Sequence, residues 1–466
     1  MSGIEKSLEY LHNSRSRRLD DFCRYLEFPS VSSLPQHVPD LAACAQHTAA
    51  LLTKAGLADV QIHPLEGGPS VVTGSWRKAP DRPTVLIYGH YDVQPVDPLE
   101  LWDHPPFAPH IARDRVFARG ATDDKGQILM HIHAVEAILQ ATGSLPVNVI
   151  FLIEGEEEIG SPHLESFLLA NRDLLRGDLA VISDSSMWGE GMPAITTSLR
   201  GLVRLEMTLT GPQCDLHSGS FGGAIANPLE VMARMLASVK SPEGRILIPG
   251  FYDDVVACSP ALREQMAALP FVPQRFLGDV GVAASWCEQG YSILESIWHR
   301  PTFEINGMWG GFTGPGSKTV LPSRAYAKLS MRLVPNQSPG DIADKTMAFL
   351  KSLLPPTAQL EIHRPKGGSP AIRFADDLPS FAAARRALSE SFQHQTVSVG
   401  EGGTIPIVAR LKELFDMDTL LLGFGLADSR PHSPNENQHL PTFYTGTEGL
   451  VRLYHYLETM DRVSEG

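Results

Sequence analysis

Hydrophobic and polar positions change their period along this 466-residue chain. Over residues 15–27 and 39–55 the apolar side chains recur every three or four positions, which predicts amphipathic helices. The second enters through Pro39 and Asp40 and leaves at Gly56. Short unbroken apolar runs follow: VVTGSW (71–76), PTVLIYGH (83–90), VNVIFLIE (147–154) and LAVISD (179–184). Between them, residues 125–141 and 162–171 read as helices. Unbroken Val/Ile/Leu runs separated by helices predict an α/β domain with a mixed, mostly parallel sheet and helices on both faces.

Near residue 194 the period becomes two. TTSLRGLVRLEMTLTG (196–211) reads as a hairpin and RAYAKLSMRLVP (324–335) as a further strand. Ser338 and Pro339 open a helix over 339–353, which QLEIHR follows. From about 375 the helix and strand alternation resumes, with helices at 377–392, 406–415 and 442–460 and a strand at 418–425. The simplest organisation is one catalytic α/β domain built from 1–193 and 375–466, interrupted by an inserted α+β domain over 194–374. The stretch 240–303 shows no clear period.

Composition narrows the chemistry. With 43% hydrophobic residues, the chain can bury a sizeable core. Its 39 basic against 53 acidic residues give a formal charge of −14, which repels phosphate backbones and argues against a nucleic-acid partner. The five cysteines, Cys23, Cys44, Cys214, Cys258 and Cys287, are odd in number, widely spaced and free of any CxxC, so neither a disulfide framework nor a thiolate cluster is expected. The first residues carry no apolar signal core, and no run approaches the ~18 apolar residues of a membrane span. A cytoplasmic protein without a membrane partner is expected.

Candidate chemistry gathers where apolar runs end. VLIYG leads into His90 and Asp92, VIFLI into Glu154, Glu156, Glu157 and Glu158, LAVIS into Asp184, and LLLGFG is followed by Asp428 and His432. Ligands of open parallel sheets bind beyond the carboxyl ends of the strands. One strand ending in an acid is ordinary, but four such ends in one chain suggest a metal site. Asp92, two residues from His90 and on the same side of the chain, is placed to orient the imidazole from behind. Adjacent Glu157 and Glu158 cannot both face one cation from an extended chain, so one is a ligand and the other holds a water. In RGATDDKG (119–126), Asp123 or Asp124 also suits a helix N-cap. His131 and His133 on a helix and His363 on a strand carry no carboxylate context and are read as structural or exposed.

The motifs GHYDVQP, RGATDDKG, EGEEEIGS, ISD and ADSRPHSPNE, in this order, resemble the co-catalytic zinc peptidases. That family includes carnosinase-type dipeptidases, aminoacylases and succinyl-diaminopimelate desuccinylase, and the dipeptidase branch is the nearest. The resemblance spans essentially the whole chain and implies a catalytic α/β domain with an inserted dimerisation or lid domain. It implies two divalent ions per subunit, of zinc, manganese or cobalt type. His90 and Asp184 would hold one, Glu158 and His432 the other, with Asp123 bridging. Glu157 would be the general base, Asp92 its supporting acid, and the peptide after the bridging Asp cis. Asp rather than Glu at 184 points to dipeptides, and the alternative is a deacylase acting on N-acyl, N-succinyl or N-carbamoyl amino acids. DLHSGSFGG resembles a stretch that lends a histidine, here His217, to the partner subunit of a homodimer. Arg332 and Thr319 resemble carboxylate-binding residues. Thr404 in GEGGTIPI resembles a substrate-loop hydroxyl.

Overall fold

The computed structural model describes residues 1–365 and 367–460. It divides into two compact units. One comprises Met1–Thr197, Phe374–Val399 and the chain from Arg410 on; the other comprises Ser198–Arg373 with Gly400–Ala409.

The first unit is an α/β layer structure. Its sheet contains β1 (Ala58–Leu65), β2 (Gly68–Trp76), β3 (Thr84–His90), β4 (Asn148–Glu154), β5 (Leu179–Ile182), β6 (Ala194–Leu199) and β7 (Asp418–Leu422). These are seven of the nine strands of the sheet, in the order β1-β2-β4-β3-β5-β7-β6. The four in the middle run parallel and the flanking pairs antiparallel. Every residue of β4 and β5 is buried, as their unbroken apolar runs require. The helices are α1 (Gly3–Asn13), α2 (Arg15–Leu26), α3 (Val38–Lys54), α4 (Lys125–Thr142), α5 (Pro379–Phe392) and α6 (Leu440–Leu457). Helix α4 packs on β3 while α1 and α6 pack on α4, so every residue from Lys125 to Ile138 is buried. The helix expected at 162–171 is Leu164–Ala170, and a second short helix, Arg172–Leu175, follows it.

Parallel neighbours bring their carboxyl ends to one edge. His90 of β3 is directly opposite Glu154 of β4, Ile182 of β5 is opposite Tyr88, and Leu421 of β7 is opposite Ile182. Residues that follow these strands therefore meet, although some of them lie hundreds of positions apart in the chain.

The second unit holds a four-stranded antiparallel sheet in the order Glu304–Gly310, Arg324–Leu333, Gly201–Thr210, Gln359–His363. Alternation places Val203, Leu205, Met207 and Leu209, with Ala325, Ala327, Leu329, Met331 and Leu333, in one core. Helices Pro228–Ala237 and Pro339–Ser352 pack against these strands. Residues 196–211 do not form the expected hairpin. Only Arg200 separates β6 from Gly201–Thr210, too little for a two-residue turn, and the two strands pair with different partners. The stretch 240–303 contains short helices at Pro260–Ala268, Pro273–Asp279 and Ile293–Trp298. Among the described residues, no helix is long and apolar enough to cross a membrane.

Candidate metal centre

His90 closes β3 and is fully buried. Its backbone N–H donates to Asp124 Oδ2 at 3.2 Å. On the ring, Nδ1 is 3.1 Å from the carbonyl oxygen of Asp92 and 3.3 Å from its Oδ1. That partner puts the proton on Nδ1 and leaves Nε2 with a lone pair. Nε2 is buried, makes no hydrogen bond, and lies 3.1 Å from Asp123 Oδ1. Asp92 does more than orient this ring. Its two oxygens accept from the amides of Glu157 and Glu158, each at 3.1 Å, and so hold the turn after β4.

Asp123 divides its carboxylate. Oδ1 faces His90, and Oδ2 is 2.8 Å from His432 Nε2. The same His432 nitrogen is 3.3 Å from Glu158 Oε2, which accepts from Gln94 Nε2 at 2.8 Å. Asp184, two residues beyond β5, completes the set. The ligand-type atoms of His90, Asp123 and Asp184 lie within 4.8 Å of one another, as do those of Asp123, Glu158 and His432. Five sequence-predicted ligands thus form two triads sharing Asp123. His432 is held at φ 57°, a left-handed conformation uncommon outside glycine.

The electrostatics are those of crowded acids. Burial, with the charges of Asp123 and Asp124, pushes Asp184 well above the usual carboxylate range. Burial holds Glu157 up at about 7, helped by Glu158, Asp123 and Asp92 and opposed by His90. Asp123 and Glu158 raise His432 to about 10. A surplus of half-buried carboxylates around an orphaned imidazole nitrogen fits divalent cations. Oxygen and imidazole donors without thiolates suit zinc, manganese or cobalt.

Two supports escaped the sequence reading. Asp124 makes no N-cap hydrogen bond although it occupies the cap position of α4; its carboxylate instead holds the His90 amide. The Asp123–Asp124 peptide is cis. Glu436, fully buried, accepts from Arg119 Nη1 (2.7 Å) and from the amides of Gly120 (3.0 Å), Thr122 (3.0 Å) and Asp123 (3.1 Å). It therefore cradles the loop that carries Asp123. Both residues stand in motifs visible in the sequence, but nothing in those motifs pairs Arg119 with an acid so distant in the chain. Asp428 lies away from the triads and pairs with Arg115 on the surface.

The sequence profile of peptidase family M20/M25/M40 matches residues 86–456. The chain belongs to that family. Among M20 relatives, it is 30% identical to the Cys-Gly metallodipeptidase Dug1 of Schizosaccharomyces pombe, over 98% of this chain and 100% of that protein. It superposes on human carnosine dipeptidase 1 with a TM-score of 0.83 at 27% identity, covering 99% of this chain and 100% of that one. It also superposes on an M20 metallo-carboxypeptidase of Sulfolobus solfataricus, with a TM-score of 0.84 at 29% identity over 95% of this chain and 99% of that one.

The remaining predicted residues belong to the second unit, in two pairs. His217 is exposed and sits opposite Val320 in a short two-stranded ladder, and Thr319 O accepts from the amide of Ser218. His217 Nδ1 accepts from Gly219 N at 3.1 Å, so the neutral ring carries its proton on Nε2. Arg332 Nη1 donates to Thr404 Oγ1 at 2.9 Å. His131 and His133 are buried, as expected of structural histidines, and His363 is exposed.

Proposed function

We propose that this chain is a dipeptidase that hydrolyses the amide bond of dipeptides or similarly short peptides with two divalent cations, zinc foremost. The division of Asp123 between His90 and His432, with Asp184 and Glu158 completing the two triads, carries this reading. The dipeptidase relatives and Asp184 favour dipeptides over N-acyl amino acids. His90, Asp123 and Asp184 would hold one ion, and Asp123, Glu158 and His432 the other. Bound there, the ions supply an electrophile for the scissile carbonyl and make the attacking water acidic. Glu157, next in the chain to the ligand Glu158, takes the water's proton and returns it to the leaving amine. Asp92 keeps Glu157 in place through its amide. His217 Nε2–H stabilises the developing oxyanion. Arg332, with Thr404 and Thr319 nearby in function, binds the substrate carboxylate through a bidentate pair.

We further propose a homodimer in which His217 acts in the partner's site. Strand Glu304–Gly310 supports this: it is the outer strand of its sheet and exposes Ile305 (48%), Met308 (47%) and Trp309 (45%). An uncovered apolar edge strand is usually paired or protected. A cytoplasmic location is favoured by five unpaired cysteines. The test is to strip the protein with a chelator, reload it with zinc, manganese or cobalt, and assay dipeptides beside N-acyl amino acids. Two ions per chain and dipeptide cleavage are expected. Turnover of N-acyl amino acids with dipeptides untouched would overturn the assignment.

A further inference from the structure

Arg200 is the single residue between β6 and Gly201–Thr210, and it engages the loop 401–404 at three points. Its amide donates to Glu401 O at 3.2 Å, its Nε donates to Gly402 O at 3.1 Å, and its carbonyl accepts from Thr404 Oγ1 at 2.5 Å. Its Nη1 reaches the carbonyls of Ser296 (3.3 Å) and Arg300 (3.4 Å). All these side-chain acceptors are main-chain oxygens, and among the described residues no carboxylate pairs with Arg200. A half-buried guanidinium spent on carbonyls serves the shape of the chain around it.

That shape is transmitted to Arg332. Leu202 is opposite Arg332 in the sheet, which makes Arg200 the diagonal neighbour of Arg332 on the same face. A hydroxyl has one proton, and Thr404 gives its proton to Arg200 O. Its lone pairs must therefore face Arg332, whose Nη1 donates to them. Arg332 is thus turned by a hydroxyl that Arg200 orients, and its other N–H groups find no carboxylate among the described residues. Burial and the nearby Arg332 charge lower Arg200 to about 10 against the opposing pull of Glu401, which agrees with two guanidinia held close together. Gly402 fits the same clamp. A Cβ there would come within 2.8 Å of Ile297 O and 2.9 Å of Arg200 Nη2.

We infer that Arg200 is a positioning residue for recognition of the substrate's carboxylate, fixing the 401–404 loop so that Thr404 aims the Arg332 guanidinium. The inference rests on the proposed role of Arg332 as carboxylate anchor. The experiment compares a cleaved dipeptide with its C-terminal amide in the metal-loaded enzyme, using Arg332→Met, Arg200→Met, Arg200→Lys and Gly402→Ala. Arg200→Met should raise KM for the free acid by about tenfold, the scale of one hydrogen bond to a charged group, with little change in kcat or in KM for the amide. Arg200→Lys should recover part of that loss. Gly402→Ala, which deletes no donor, should shift the same ratio and decides the matter if Arg200→Met does not fold. If Arg332→Met keeps the parent's preference for the acid, the anchor reading fails and takes this inference with it. If Arg332→Met abolishes the preference while folded Arg200→Met and Gly402→Ala retain it, only the role of Arg200 is overturned.

Discussion

Replacing Glu436 with Gln tests the loop that carries the shared carboxylate. The substitution keeps the size of the side chain and exchanges one oxygen for an NH2 group. In the parent, one oxygen serves Arg119 Nη1 and the Gly120 amide, and the other serves the amides of Thr122 and Asp123. Whichever way the amide turns, two donors lose their acceptor and face another donor. Each unsatisfied buried donor costs about 1–3 kcal/mol. Arg119, 1% exposed, also loses its counter-charge, and breaking a buried ion pair costs about 3–5 kcal/mol. These penalties overlap, so the net loss expected is about 3–5 kcal/mol, against a typical total stability of about 5–15 kcal/mol. Urea unfolding of chelator-treated protein measures this directly. Amide hydrogen exchange should accelerate at Gly120, Thr122 and Asp123, and competition with a chromophoric chelator should show weaker metal binding, because Asp123 faces both triads. A Gln variant that unfolds within about 0.5 kcal/mol of the parent, the range of an ordinary surface change, would refute the cradle.

Other consequences can be checked singly. Glu157→Gln should retain two metals per chain, measured by plasma emission, yet lose about 10²–10⁴ in kcat, the usual worth of a general base; near-parent turnover removes Glu157 from that role. Burial lowers His131 to about 3, so the folded ring stays neutral where the unfolded one gains a proton. Stability is therefore full above about pH 6.5 and falls on acidification, by about 2 kcal/mol at pH 5. His131→Gln should flatten the fall in urea midpoint between pH 7 and 5, and an unchanged slope would place its source elsewhere. Gly126→Ala puts a Cβ 2.0 Å from the carbonyl oxygen of Ala121, a backbone atom that no rotamer change can move. A loss of about 3 kcal/mol or more is expected in thermal melting, and a parent-like melt would show that the loop yields freely.

What the sequence disclosed and what it hid differ for physical reasons. Strands β3, β4 and β5 were legible because full burial removes polar residues from both faces. His90, Glu158 and Asp184 were legible because they interrupt apolar character where such strands end. Helix α1 is not among the expected elements, although Ser2 and Glu5 form a capping box, a signature readable in the letters. The same device opens Ile293–Trp298 through Ser292 and Glu295, inside the stretch that showed no period. Its helices are too short for a repeating stripe, so their caps were the only signal. The hairpin reading of 196–211 failed because alternation fixes which face a residue takes but does not identify the partner strand. The supports of the metal centre and of the 401–404 loop were hidden for a deeper reason. Glu436 binds the amides of residues 120, 122 and 123, Asp92 those of 157 and 158, and Arg200 the carbonyls of 296, 300 and 402. Every residue but proline offers an amide and every residue a carbonyl, so such partners leave no mark on the sequence. A ligand is identified by its own side-chain chemistry, whereas a residue that holds the ligand's backbone becomes identifiable only once the chain is folded.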